Sequence, residues 1–108
     1  MFIVPRIMYD MKLVYPAIFT PLEESDGYCV TFPDLPGCVT QGASLADAIE
    51  MAADAASGWI LDEIEDGNDI PQATVPYSIG LSANEFVSFI LFDINCELQK
   101  SDSYRKAF

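Results

Sequence analysis

The sequence predicts an α+β domain of order β-β-β-α-β, an antiparallel sheet with one long helix packed on one face. Three observations carry that prediction. Short runs rich in β-branched and aromatic residues, separated by Pro, Gly and Asp, occur on both sides of a single stretch with helical spacing. That stretch has its own start and stop signals in Ser44 and Gly67. The chain of 108 residues, 51% of them hydrophobic, suffices for one core and no more.

In chain order, residues 1–10 (MFIVPRIMYD) read as an N-terminal extension, disordered or adding an edge strand, because Pro5 breaks them early. KLVYPAIFT, Lys12 to Thr20, is a first strand whose Pro16 calls for an edge position or a bulge. PLEESDG makes a polar turn, and YCVTFP, Tyr28 to Pro33, alternates as a second strand. DLPG then reverses the chain into a third strand, Cys38 to Gly42. Strand parity places Tyr28, Val30, Phe32 and Val39 towards the helix, and Cys29, Thr31, Cys38 and Thr40 on the other face.

Ser44 is a good N-cap, and Asp47 three residues on resembles a capping box with Asp in place of Glu. Leu45, Ala48, Ile49, Ala52, Ala56, Trp59, Ile60 and Ile64 follow the spacing of one helical face. Gly67 is a natural C-terminal stop. Residues 68–83 are a linker that Pro71 and Pro76 keep out of helix. EFVSFILFDI, Glu85 to Ile94, is the last strand, and residues 96–108 form a polar tail. The folded unit is therefore expected over residues 11–95.

The last strand is apolar on both faces: Phe86, Ile90 and Phe92 on one, Val87, Phe89 and Leu91 on the other. Such a strand wants cover on both sides, and one helix covers only one. The sequence thus predicts an apolar sheet face open to the extension, to a second copy, or to a partner, self-association or a partner being the favoured accounts.

Charge narrows the function. Seventeen acids against five bases leave a net charge of −12, a field that repels nucleic-acid phosphate and anionic lipid and attracts basic partners. Direct nucleic-acid binding and membrane association are disfavoured, and no run is long and apolar enough to span a bilayer. Cys29, Cys38 and Cys96 show no metal-ligand spacing, and histidine is absent, so zinc is not expected. Three reduced thiols without a signal peptide point to the cytoplasm.

Catalysis finds little support. Without histidine there is no Ser-His or Cys-His pair, and no Gly-rich phosphate loop occurs. The run Asp62, Glu63, Glu65, Asp66 and Asp69 could suggest a divalent metal, but such runs are usually a solvated face and this one lacks EF-hand order. No catalytic residue, metal ligand or cofactor is assigned. Asp47, Glu50 and Asp54 instead line one helical stripe at i, i+3 and i+7, which reads either as a solubilising surface or as a docking strip for a basic protein.

The stretch YCVTFPDLPGCVTQGASLADAIEMAADAASGWI, Tyr28 to Ile60, resembles the signature of the HicB family of bacterial antitoxins. The hairpin FPDLPGC, the T-x-G turn and the Ala-rich helix ending near Trp59 carry the likeness, with YPAIF and FVSFILFDI fitting on either side. It covers roughly residues 11 to 95. The resemblance implies a partly degraded ribonuclease-H-like domain that binds a small basic toxin, HicA, an mRNA-cleaving ribonuclease, and masks its active site. KLVYPAIFT holds no Asp or Glu where a ribonuclease-H-like site needs a first-strand carboxylate, which agrees with lost catalysis. Many members continue into a DNA-binding segment, whereas SDSYRKAF shows no such pattern, so operator binding is not expected of these residues.

The expected function is therefore an antitoxin-like inhibitor, homodimeric or of higher order. Its toxin-binding candidates are Asp34 at the hairpin tip and Asp47, Glu50 and Asp54 on the helix. The rival readings are an orphan homo-oligomeric binding module and a residual metal-dependent nuclease. Pro36 and Gly37 are expected to shape the hairpin turn, and Phe32 and Trp59 to sit in the core.

Overall fold

A computed structural model describes residues 6–75 and 79–99. The elements are β1 (Arg6–Pro21), β2 (Tyr28–Thr31), β3 (Val39–Gly42), α1 (Leu45–Glu65) and β4 (Phe86–Gln99). They form a four-stranded antiparallel sheet of order β3-β2-β1-β4, with α1 on one face. The class and element order are those expected from the sequence.

The two outer strands of the sequence are longer than their propensities indicate. Arg6 pairs with Gln99 and Phe19 with Phe86, so the described parts of the N-terminal stretch and of the C-terminal tail continue one ladder. Residues 1–5 and 100–108, included in the expected extension and tail, lie outside the described residues. The longer β1 also contains an acid, Asp10, exposed and opposite Asn95. β2 pairs with β1 only over Ile18–Pro21. Pro16 therefore sits in a strand that is internal by order, at a point where β4 is its one ladder partner, and its missing N–H breaks no β1–β2 bond.

The registers pair odd residues of β1 with even residues of β2 and β4, and these share the helix face. Tyr15, Ala17, Phe19, Val30, Ile90, Phe92 and Ile94 are buried there. Phe19 stacks on Phe86 with ring centroids 5.1 Å apart, and Tyr28 meets both rings edge-on. In the β2–β3 hairpin, Val30 pairs with Thr40 and Thr31 with Val39, which corrects the expected parity of β3. Val39 is 58% exposed on the outer face, and Cys38 is buried with the core. The cause is the turn. Phe32 and Cys38 close it by a backbone hydrogen bond, Leu35 is fully buried inside it, and Gly37 takes φ +82°.

The helix begins and ends where expected. Ser44 Oγ accepts from the Asp47 N–H, and Asp47 Oδ2 accepts from the Ala43 N–H at 2.9 Å, one residue earlier than a standard capping box. At the other end Gly67, at φ +76°, donates to Ile64 O and Asn68 donates to Glu63 O, a Schellman motif. Ala48, Ala52, Ala56, Ile60 and Ile64 form a buried i+4 row. The small alanines let the helix lie close to the sheet edge. A Cβ at Gly42 would stand 2.3 Å from Ala48 N. Leu45 and Ile49 point the same way but stay 42% exposed, because the first turns overhang the short edge strand β3.

Pro16 is fully buried on the outer sheet face, but much of the apolar surface there is open. Val14 is 45%, Phe89 58% and Leu91 61% exposed, as the two-sided apolarity of the last strand implies.

Candidate protein-docking surface

The surface opposite the buried alanine row carries the acids of α1. At 100° per residue Asp47, Glu50, Asp54 and Asp62 fall on the side turned away from the sheet, all of them exposed. Met51, 39% exposed, lies within the same stripe. The last helical turn holds no basic residue. Lys12 lies on the ladder, 3.9 Å from Asp93, with both side chains largely in solvent.

Beside the stripe runs a shallow groove of about 360 Å³ between the hairpin limb Gly37–Val39 and the helix. Asp54 and Asp62 flank its helix side, and Gly58 leaves its floor bare. Trp59 closes one wall. It is half-buried against the core, and its indole N–H donates to Pro36 O at 3.0 Å, tying helix to hairpin tip. An apolar side chain set among unpaired-sign charges is the composition that binds proteins. The charges hasten encounter and select sign, while desolvated apolar atoms supply affinity.

The four sequence candidates divide. Glu50 and Asp54 are exposed on the stripe and available to a partner. Asp47 shares the stripe, but one carboxylate oxygen caps the helix through Ala43. Asp34 stands apart. Its Oδ2 accepts from the Thr74 N–H at 2.9 Å and its Oδ1 from the Thr74 hydroxyl, so both oxygens hold the linker. Tyr15 adds a second tie, its hydroxyl donating to Pro71 O. Burial, with the Asp34 charge as the second cause, raises the Tyr15 pKa. These contacts span 40 and 56 residues, and no local pattern announces them.

Among the described residues no group of three or more Cys, Asp or Glu is placed to hold a metal ion. The acidic run after Leu61 is thus dispersed around the helix end. Cys29, Cys38 and Cys96 are free thiols, and burial raises the pKa of Cys38. No helix among the described residues is long and apolar enough to cross a membrane.

Comparison with known proteins adds the family. Residues 15–106 match the profile of the HicB-like antitoxins of bacterial toxin–antitoxin systems. A 14.9 kDa protein of the rep-hol intergenic region of Haemophilus phage HP1 is 30% identical over 86 residues, 80% of this chain and 62% of that protein. Antitoxin HicB 1 of Photorhabdus laumondii is 44% identical over 57 residues, 53% of this chain and 36% of the antitoxin. Antitoxin HicB of Escherichia coli K12 is 49% identical over 41 residues, 38% of this chain and 29% of the antitoxin. The chain thus spans less than two thirds of each of these relatives.

Among solved structures, the fold matches a chain of the toxin–antitoxin complex from Streptococcus pneumoniae with TM-score 0.69 at 24% identity, covering 77% of this chain and 70% of that one. The N-terminal domain of Burkholderia pseudomallei antitoxin HicB matches with TM-score 0.61 at 23% identity, over 72% of this chain and 95% of that domain. The profile match over most of the chain, with the shorter matches to two HicB antitoxins beside it, leads to one conclusion: this chain belongs to the HicB-like antitoxin family.

Proposed function

We propose that the chain is an antitoxin that neutralises a small basic toxin of the HicA type, an mRNA-cleaving ribonuclease, by docking its acidic helix face over the toxin's active site. It acts in the cytoplasm, and its role is inhibition rather than catalysis. The observation that carries the reading is the exposed stripe Asp47, Glu50, Asp54 and Asp62 around Met51 on a chain of net charge −12. Family membership supports it, as does a further fold match, TM-score 0.60 at 22% identity over 75% of this chain and 99% of that one, to a chain of the HicA3 and HicB3 toxin–antitoxin complex. A toxin that binds RNA needs a cationic surface, and this stripe offers the matching sign.

The test is binding of this chain to the small basic protein encoded beside it, coupled to an RNA-cleavage assay. One-to-one association that abolishes cleavage is expected, weakening as salt is raised. The folded double variant Glu50→Lys with Asp54→Lys should bind at least about tenfold more weakly, roughly 1.4 kcal/mol. Unchanged affinity in that variant would remove the helix face from the interface. Absence of association would sink the antitoxin reading. Cleavage of RNA by this chain alone on addition of magnesium or manganese would favour a residual nuclease.

A further inference from the structure

The groove between hairpin and helix contains a notch that packing does not explain. Asp54, Gly58 and Asp62 follow one another at i+4 along α1, so they lie on one ridge of the helix surface. The middle of that ridge is missing. Gly58 keeps an ordinary helical φ, and a Cβ there would meet nothing within 4 Å. Neither turn geometry nor close approach calls for a glycine, and glycine weakens a helix interior. Its effect is to open the groove floor between two carboxylates. Neighbours at i+4 stand about 5–6 Å apart, so a cation laid across Gly58 is near both acids. Among the described residues neither carboxylate forms a salt bridge. Trp59 supplies the wall. Its N–H is already given to Pro36 O at 3.0 Å, so the ring is held in place and offers the groove its apolar and π surface.

We infer that this groove seats one arginine side chain of the basic partner, its guanidinium over Gly58, against the Trp59 ring and between Asp54 and Asp62. The inference rests on the docking proposed above and names what the partner must bring to it. Chemistry selects the occupant. Two acids eight residues apart on a helix are separated by about 12 Å along its axis, too far to share a metal ion, whose oxygen ligands lie within about 2.6 Å. A groove of about 360 Å³ is at the low end of ligand sites, room for one long side chain rather than a cofactor. Its lining holds two carboxylates and no cationic side chain, which turns away an anion. Of the two basic side chains, arginine suits it better. A guanidinium is planar and weakly hydrated, stacks on an aromatic wall and forks onto a carboxylate. A lysine ammonium is a strongly hydrated point charge with no plane to stack.

Trp59 is the one tryptophan of the chain, so its fluorescence reports on the groove directly. Titrating the full chain with hexa-arginine and with hexa-lysine, peptides of equal charge, tests the site without the toxin. Hexa-arginine should change the emission at about threefold lower concentration. Gly58→Leu fills the notch with a good helix former, should stay folded by circular dichroism, and should respond to the two peptides alike. Asp62→Asn, at an exposed position, should narrow the preference as well. Equal response of the wild-type chain to both peptides would overturn the inference, because a diffuse acidic field does not tell them apart. So would an arginine preference that survives in folded Gly58→Leu. Against the small basic protein encoded beside this chain, Gly58→Leu should weaken association at least about tenfold, and changing one arginine of that protein to lysine should weaken it too. Toxin affinity untouched by Gly58→Leu would sink this inference and leave the antitoxin reading standing. An arginine preference in a chain that binds no such protein would remove the antitoxin reading and support the groove's specificity.

Discussion

Replacing Asp34 by alanine separates a scaffold role from a contact role at the hairpin tip. The carboxylate accepts two hydrogen bonds from Thr74, one from its N–H at 2.9 Å and one from its hydroxyl. Hydrogen bonds to a charged acceptor contribute about 1.5–3 kcal/mol each in protected sites. Both residues here are half-buried, so water replaces part of the loss and each bond contributes less than that, about 1 kcal/mol. Alanine should therefore destabilise the fold by about 2 kcal/mol in total. At about 4–8 °C per kcal/mol for a domain of this size, the melting temperature should fall by roughly 8–16 °C. Thr74→Val removes only the hydroxyl and should cost about 1 kcal/mol. In the double variant the two losses should fall well short of additive, because they share one interaction. Thermal and urea unfolding followed by circular dichroism measure all three. A change below about 0.5 kcal/mol for Asp34→Ala, the level of an ordinary surface substitution, would refute the clamp. So would strict additivity. A stable Asp34→Ala protein that has lost partner affinity would return Asp34 to the interface.

Three further outcomes follow from close packing and titration. Gly42→Ala drives a Cβ to 2.3 Å from Ala48 N and 2.5 Å from Ala48 Cα, both backbone atoms, and should cost about 3 kcal/mol or more, read as a collapsed unfolding midpoint. Gly58→Ala meets open space inside the helix and should stabilise by about 0.5–1 kcal/mol in the same assay. Glu85 has its pKa lowered, first by the backbone N–H of Ser82 and then by the Thr20 hydroxyl. Its favourable contribution is therefore present above the ordinary carboxylate value and lost as pH falls through the lowered one. The stability difference between wild type and Glu85→Gln should shrink to nothing in acid, as pH-dependent urea unfolding can measure.

Local chemistry alone determined a good part of this protein. The helix limits were legible because Ser44, Asp47 and Gly67 act on backbone groups within a few residues of themselves. The two-faced last strand was legible because alternation is a property of the strand itself, and it foretold the open face at Phe89 and Leu91. The acidic stripe followed from helical spacing, and the FPDLPGCVTQG block carried the family. What only the tertiary structure decided involves separations that no local pattern encodes. The parity of β3 depends on how the Phe32–Cys38 turn folds around Leu35, and this put Val39 outside and Cys38 inside. By its sequence alone Pro16 calls for an edge position or a bulge. The short reach of β2 gives it an open flank within an inner strand. Asp34 looked like a free charge at a loop tip until Thr74, distant in sequence, was brought against it. An exposed carboxylate and a clamping one are the same residue in sequence. Which it becomes depends on where a linker with no regular structure of its own is laid down.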